Sequence, residues 1–295
     1  MGELIQVEPS LTRLPPKRGT AGLLVVPNLL WLLLFMAGPL LMLLAVSFHG
    51  YQAGVGILDT WEFGNYLRFV IDPYYLAILL RTVAMGFEVT VCCLLLGFPF
   101  AYGLSRLRGT RRAMVYVLVL LPLLTSAVVR TFGWMILLAN NGFINRSMMD
   151  LGLTDSPTRL MYGMPGVVIA LVEVLLPFMI PALDAALINI PPSLYEAARN
   201  LGAGRMRVFV SVTLPLALPG IVSGSVLVFT LAVSAFVTPS LIGGPRVPVM
   251  STLIYQQGMS LLNWPFGAAI GFTMLATILT LFMLTSGLTR RERGA

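Results

Sequence analysis

Long apolar runs, each about as long as a membrane-spanning helix, dominate the pattern of hydrophobic and polar positions along this chain. A hydrocarbon layer roughly 30 Å thick takes about 20 residues at helical rise, whereas the strands of a membrane β-barrel span about 10 alternating residues. The runs show no such alternation. The pattern predicts an all-α, polytopic membrane protein with six transmembrane helices, at residues 22–47, 80–104, 113–139, 164–187, 215–238 and 265–288.

The segments outside these runs define the expected domain organisation. Residues 1–21 form an N-terminal tail, residues 22–289 one transmembrane domain and residues 290–295 a C-terminal tail. No clear small-x-small cleavage site follows the first run, so we interpret it as an uncleaved helix. The composition agrees, because 57% of the residues are hydrophobic and only 11% are charged, which is less charge than a soluble domain of this size carries.

The basic residues predict which side of the membrane each loop faces. If the N-terminus is cytoplasmic, thirteen of the nineteen Lys and Arg residues lie in cytoplasmic segments and four lie in the opposite loops. Cytoplasmic loops of membrane proteins carry such an excess of Lys and Arg. We therefore expect both termini in the cytoplasm. The net charge of +7 then reflects topology and lipid headgroups and requires no nucleic-acid partner.

A polar segment, residues 188–214, separates the fourth and fifth runs and contains the sequence PPSLYEAARNLGAGRMRVFVSVTL, which ends where the next run begins. Ser193 is expected to be a helix N-cap, with Glu196 completing a capping box. Gly202 allows the chain to turn, and a second short helix is expected over about 205–212. The alternative is a simple solvated loop, but the segment is longer than a connection requires and its apolar residues favour a partner's groove.

The spacing in this segment resembles the EAA loop of the permease subunits of bacterial ABC importers. The family pattern is E-A-A, three residues, G, nine residues, I, one residue, L-P. The stretches RTFGWMILLANNGFIN, LLPFMIPALDAAL and NWPFGAAIGFTML are similar to segments of the spermidine/putrescine-type branch. The matching positions here, with valine in place of isoleucine, are Glu196, Ala197, Ala198, Gly202, Val212, Leu214 and Pro215.

This resemblance implies a type I ABC importer permease subunit in the bacterial inner (cytoplasmic) membrane, forming half of the translocation pathway for a small organic solute such as a polyamine. The motif residues and Ser193 would be the ATPase-coupling residues of a cytoplasmic coupling-helix hairpin. The implied partners are a cytoplasmic ABC ATPase dimer, a second and different but related permease subunit, a periplasmic or extracellular solute-binding protein, and membrane lipid.

The sequence lacks the residue patterns of an enzyme. A P-loop needs Gly-Lys-Ser/Thr, and the single lysine, Lys17, is followed by Arg18. One histidine and two adjacent cysteines, Cys92 and Cys93, do not form a zinc-binding pattern. We therefore expect a non-catalytic subunit that binds no cofactor of its own, with ATP and magnesium held by the partner ATPase that the resemblance implies.

Ionisable residues inside the apolar runs are candidates for the substrate pathway, because a charge within the bilayer is costly. Glu173 lies near the middle of the fourth run, and Pro177 frees the backbone carbonyl of residue 173, so a cation would find a carboxylate on a loosened helix. Alternatively, Glu173 is protonated or pairs with a neighbouring helix. Glu88 and Arg130 are further candidates, although Arg130 is near enough to the outer end of its run to snorkel to the surface.

Other functions stay open on the residues alone. A stand-alone secondary transporter or channel is one alternative, although it predicts inverted repeats and no internal duplication is evident. A permease for an opine, an amino acid or another small organic solute is a second alternative within the importer class.

Overall fold

The structure, a computed structural model, describes residues 26–291, with side chains as far as residue 283. The predicted N-terminal tail and most of the predicted C-terminal tail therefore lie outside the described residues. The chain divides into two compact units, one ending at Val46 and the other beginning at Ser47. Helix α1 (Val26–Ser47) belongs to the first unit except for its last residue, and it includes a π-helical turn at Leu33–Ala37.

The second unit begins with a small antiparallel hairpin. Strand β1 (His49–Gln52) pairs with β2 (Gly56–Trp61), and helix α2 (Gly64–Ile71) follows. The remaining helices are α3 (Pro73–Leu104), α4 (Gly109–Leu120), α5 (Ala127–Leu138), α6 (Phe143–Asp150), α7 (Met164–Ile188), α8 (Pro192–Asn200), α9 (Arg205–Ser234), α10 (Met250–Tyr255) and α11 (Trp264–Arg291).

Six helical segments of the described residues are long and apolar enough to cross a membrane, which confirms the predicted fold class. They are Val26–Ser47, Pro73–Leu104, Ala127–Asp150, Met164–Ile188, Arg205–Ser234 and Trp264–Met283. The second of them begins earlier than the predicted 80–104, because Pro73 occupies its first turn and the Asp72 carboxylate accepts a hydrogen bond from the Tyr74 amide at 2.9 Å. Such a cap stabilises a helix start.

The prediction of one continuous helix over 113–139 is wrong. Helix α4 ends at Leu120, Leu121–Leu124 forms a 3₁₀ turn, and the backbone is extended at Thr125 before α5 begins. Pro122 explains the interruption, since proline has no amide hydrogen and its ring clashes with the preceding helical turn. The membrane-crossing candidate therefore moves to Ala127–Asp150, where residues 139–142 form a turn between α5 and α6.

Helices α3, α7 and α9 form the packed core of the second unit. Small residues allow α7 and α9 to approach closely, as they do in many membrane proteins. A Cβ atom at Gly220 of α9 would lie 2.5 Å from Cβ of Ala186 and 2.8 Å from the backbone oxygen of Ala182. The buried side chains of this core include Met85, Val89, Cys93, Met179, Leu183 and Val228.

Replacing Gly220 with Ala is expected to destabilise the protein by about 1–3 kcal/mol, because backbone atoms of α7 would have to move to admit the methyl group. The measurement is the thermal unfolding midpoint of the purified chain in detergent. Gly103→Ala is the matched control, since a Cβ at Gly103 of α3 meets no atom of the described residues within 4 Å beyond its own stretch of helix. Equal midpoints for the two variants would contradict the close packing of α7 and α9.

Candidate functional site

Residues 188–214 form a helical hairpin with a glycine corner, as the sequence predicts. Helix α8 ends in a turn where Gly202 has φ +79°, a left-handed conformation that favours glycine. The Gly202 amide donates to the Arg199 carbonyl at 2.9 Å, and the Ala203 amide donates to the Ala198 carbonyl at 3.0 Å. This pair of hydrogen bonds is a Schellman motif, which ends α8 sharply and sets the direction of the next helix.

The capping box predicted at Ser193 and Glu196 is not formed. Helix α8 begins at Pro192, its N-cap is Pro191, and no side-chain hydrogen bond caps this end. Proline suits the first helical position because its φ is already helical and it has no amide hydrogen to satisfy. Ser193 therefore lies inside the first turn, and both predicted capping side chains are exposed.

The second helix of the hairpin does not end at residue 212. It continues through a π-helical turn, Phe209–Thr213, into the membrane-spanning part of α9. The wider turn accommodates Pro215, whose nitrogen has no hydrogen to donate to the preceding turn. The hairpin is thus continuous with a long apolar helix.

Apolar side chains on the hairpin are exposed. Leu201 at the corner is 88% exposed and Met206 on the first turn of α9 is 75% exposed. Exposed apolar residues this close together on a polar segment are typical of a surface that a partner covers. Of the predicted coupling residues, Glu196, Ala197, Leu214 and Pro215 are exposed, whereas Ala198 and Val212 are half-buried.

Glu173 lies beside two residues of α5. The Arg130 Nη1 atom lies 3.6 Å from Glu173 Oε1, and the Trp134 indole nitrogen donates to Glu173 Oε2 at 3.3 Å. Arg130 and Trp134 are four positions apart and therefore share one face of α5. Of the alternatives left open by the sequence, the structure shows Glu173 paired with a neighbouring helix.

The interpretation of Arg130 as a residue that snorkels to the outer surface is wrong. Its side chain is only 14% exposed and points to Glu173. The interpretation assumed a helix that began near residue 113, which would have carried Arg130 to the far side of the membrane. Because α5 begins at Ala127, Arg130 lies instead in the first turn of a new helix.

Glu173 and Trp134 line a cavity of about 610 Å³ between α3, α4, α5 and α7. Glu173 carries the only carboxylate among the lining residues, and most of the other lining side chains are apolar. Helix α7 passes through Pro177 without a break, so the predicted loosening of this helix is not visible as an interruption. The wall includes Cys92, Leu96 and Phe100 of α3, Leu118 and Val119 of α4, Pro122, and Leu176, Pro177 and Ile180 of α7.

Glu88 is not part of this cavity. It lies halfway along α3 on an exposed face and is absent from the cavity lining. The structure therefore brings together two of the three predicted pathway residues, Glu173 and Arg130, and places the third elsewhere.

A second polar cluster was missed at the level of sequence. Asp184 of α7 is 1% exposed, and its Oδ2 accepts from Arg112 Nη2 at 2.5 Å and from the Tyr116 hydroxyl at 2.7 Å. The signal was present, because Asp184 is an acidic residue inside an apolar run. Arg112 is one of the thirteen basic residues assigned to cytoplasmic segments, and no sequence pattern connects it to Asp184.

Known transport proteins are similar to this chain in sequence. The family described as "Binding-protein-dependent transport system inner membrane component" matches residues 158–294. The spermidine/putrescine transport system permease protein PotB of Salmonella typhimurium (strain SL1344) is 36% identical over 244 residues, which cover 83% of this chain and 85% of that protein. PotB of Escherichia coli (strain K12) is 35% identical, with coverage of 83% and 88%.

A similar fold occurs among solved structures. A bacterial ABC transporter involved in the import of the acidic polysaccharide alginate has a chain that matches with a TM-score of 0.71. The match covers 92% of this chain and 96% of that chain at 21% sequence identity. The overall fold of this chain is therefore one that occurs among solved structures.

Proposed function

This chain belongs to the family of binding-protein-dependent transport system inner membrane components, and we propose that it imports a polyamine as one of two permease subunits of an ATP-driven transporter. The observation that carries this proposal is the continuity of the exposed hairpin with α9. A stiff connection transmits a movement at the hairpin to the membrane segment, whereas a flexible loop would absorb it. The relatives named as spermidine/putrescine permeases support the choice of solute.

The partners follow from this arrangement. A cytoplasmic ABC ATPase dimer would dock on the hairpin, and that dimer would hold ATP and magnesium while this chain binds no cofactor. A different but related permease would form the other half of the pathway, and a solute-binding protein would deliver substrate to the outer loops. Both termini would be cytoplasmic. The residues proposed to meet the ATPase are Ser193, Glu196, Ala197, Ala198, Gly202, Val212, Leu214 and Pro215.

The cavity suits an organic cation. Apolar walls accept the methylene chain of a polyamine, the Glu173 carboxylate pairs with an ammonium group, and the Trp134 ring offers a cation–π surface. In the structure, the Glu173 carboxylate is paired with Arg130, whose Nη1 atom lies 3.6 Å from Glu173 Oε1. An arriving ammonium would replace Arg130 at Glu173, and Arg130 would return when the solute leaves.

Uptake by reconstituted vesicles tests the proposed function. The complete transporter, with its ATPase, second permease and binding protein, is placed in liposomes and supplied with ATP and radiolabelled spermidine or putrescine. Accumulation against a gradient that requires ATP is expected. Polyamine uptake by this chain alone would overturn the proposal and favour a stand-alone transporter.

A zwitterionic solute is a second candidate, because the Arg130 guanidinium has unused donors. Its Nε and Nη1 atoms are buried without a hydrogen-bond partner among the described residues. A solute with both an amine and a carboxylate, such as an amino acid or an opine, would satisfy Glu173 and Arg130 together. Uptake of a radiolabelled amino acid or opine by the same vesicles distinguishes the two, since a transporter for zwitterions would accumulate that solute and an excess of unlabelled polyamine would not compete with it.

Native Cys92 offers a direct probe of the cavity. Its side chain lines the wall, whereas Cys93 is fully buried and its thiol faces the Val172 carbonyl at 3.7 Å. A cationic methanethiosulfonate reagent is expected to label Cys92 in the complete transporter, and bound polyamine is expected to slow that labelling. The measurement is the labelled mass fraction against time, with Cys92→Ala as the control. Labelling that is indifferent to polyamine would remove the cavity from the substrate pathway.

A further inference from the structure

The buried carboxylate of Asp184 connects the hairpin end of α7 to α4. Asp184 lies one helical turn before α7 ends at Ile188. Its partners Arg112 and Tyr116 lie on the first two turns of α4, at 2.5 Å and 2.7 Å from Oδ2. The cluster therefore joins two helices at the point where the hairpin begins.

Arg112 extends this connection to a third helix. Its Nη1 donates to the Leu104 carbonyl at the end of α3, at 3.4 Å. One guanidinium thus holds the last turn of α3, the first turns of α4 and the last turns of α7 in a single arrangement. The planar guanidinium of arginine donates several hydrogen bonds in fixed directions, whereas the ammonium group of lysine is a compact charge without such fixed directions.

Stability alone is a poor reason for this cluster. Removing two charges from water is costly, and well-packed apolar residues of similar volume hold helices together as well or better. Asp184 Oδ1 is buried and has no hydrogen-bond partner among the described residues, so the cluster is not even fully satisfied. A fixed geometry between helices is the better explanation of why the charges are placed here.

Helix α4 leads from this cluster to the cavity. Arg112 and Tyr116 lie near its start, Leu118 and Val119 on its last turns line the cavity, and Pro122 lines it just beyond the end of the helix. A displacement of the α7 end would therefore move the part of the cavity wall that α4 contributes only if α4 follows α7. Within the described residues, the polar contacts that attach α4 to α7 at this end are those of Asp184.

We propose that Asp184, acting through Arg112 and Tyr116, is a positioning residue that transmits movement of the coupling hairpin along α4 to the wall of the substrate cavity. The inference rests on the proposed function, since it concerns how ATP hydrolysis by a partner reaches the solute. Without the cluster, the hairpin still moves α7 and α9, but α4 and its share of the cavity wall no longer follow.

The test measures coupling rather than activity alone. In the complete transporter in liposomes, polyamine uptake and polyamine-stimulated ATP hydrolysis are recorded together for wild type and for Asp184→Asn. The asparagine keeps the volume and an acceptor for Tyr116 but removes the charge. The number of ATP molecules hydrolysed per solute is expected to rise about 2- to 30-fold, the size of effect expected for a residue that couples two sites. An unchanged ratio would overturn the proposal.

Two further variants separate positioning from folding. Tyr116→Phe removes one hydrogen bond to Asp184. It is expected to raise the number of ATP molecules hydrolysed per solute as well, by a smaller factor than Asp184→Asn. The double variant Arg112→Met/Asp184→Leu removes both buried charges and should assemble even where a single variant does not. If the double variant restores the wild-type ratio, the cluster serves folding and the proposal is wrong. A wild-type complex that shows no ATP-dependent polyamine uptake would instead refute the proposed function.

Discussion

Replacing Gly202 with Asp is expected to reduce ATP-driven uptake by the assembled transporter on the order of 100-fold, because an unpaired charge buried in an interface costs about 3 kcal/mol. Gly202 forms the corner of the hairpin at φ +79°, and, apart from its chain neighbours, no atom of the described residues lies within 4 Å of its Cβ position. The open space in this chain is where we propose that the ATPase surface fits. The measurements are uptake in vesicles and co-purification of the ATPase with the membrane subunits.

A matched control is available in the same chain. Gly109 also has a positive φ, +60°, and also has open space around its Cβ position, but it is the first residue of α4 and lies outside the hairpin. Gly109→Asp therefore introduces the same charge and a similar backbone strain outside the hairpin. We expect Gly109→Asp to retain the ATPase. Normal uptake by Gly202→Asp, or equal loss in both variants, would count against docking at the hairpin corner.

Replacing Glu173 with Gln is expected to raise the KM for polyamine uptake about 10- to 100-fold, because hydrogen bonds to charged groups contribute about 1.5–3 kcal/mol. The glutamine amide oxygen still accepts from the Trp134 indole, so the shape of the cavity is retained while the charge is lost. Initial uptake rates over a range of polyamine concentrations give KM separately from the maximal rate.

Glu88→Gln serves as the control for this experiment. Glu88 is also a carboxylate in the middle of an apolar helix, but the structure places it on an exposed face away from the cavity. We expect its KM to match that of wild type. Unchanged KM in Glu173→Gln would exclude Glu173 from the pathway, and an equal rise in both variants would point to a general effect of charge in the membrane.

Helix α7 links the two ends of the proposed mechanism. Glu173 faces the cavity, and fifteen residues later the helix ends at the hairpin, a distance of about 22 Å at helical rise. Met179 and Leu183 between them are buried against α3 and α9. A movement at the hairpin therefore reaches the Glu173 carboxylate through one packed helix. We propose that the Asp184 cluster makes α4 move together with α7.

Local features of the chain were predictable from sequence because each depends on residues close together. Six apolar runs of membrane-spanning length required only their own composition, and the corner at Gly202 required only a glycine at the end of a helical pattern. The hairpin resemblance also lay within one short segment. The capping box failed for an equally local reason, since Pro191 and Pro192 moved the helix start one residue ahead of Ser193.

The amino-acid sequence by itself determined the class of protein, the number of membrane crossings and the position of the hairpin, since hydrophobic length and turn residues act locally. Only the tertiary structure decided which charges meet. Glu173 and Trp134 are 39 residues apart, and Arg112 and Asp184 are 72 apart. The physical reason is that a buried charge is stabilised by whichever partner the packing brings to it. That packing depends here on the helix break at Pro122, and the hydrophobic pattern gives no sign of this break because it continues unchanged across it.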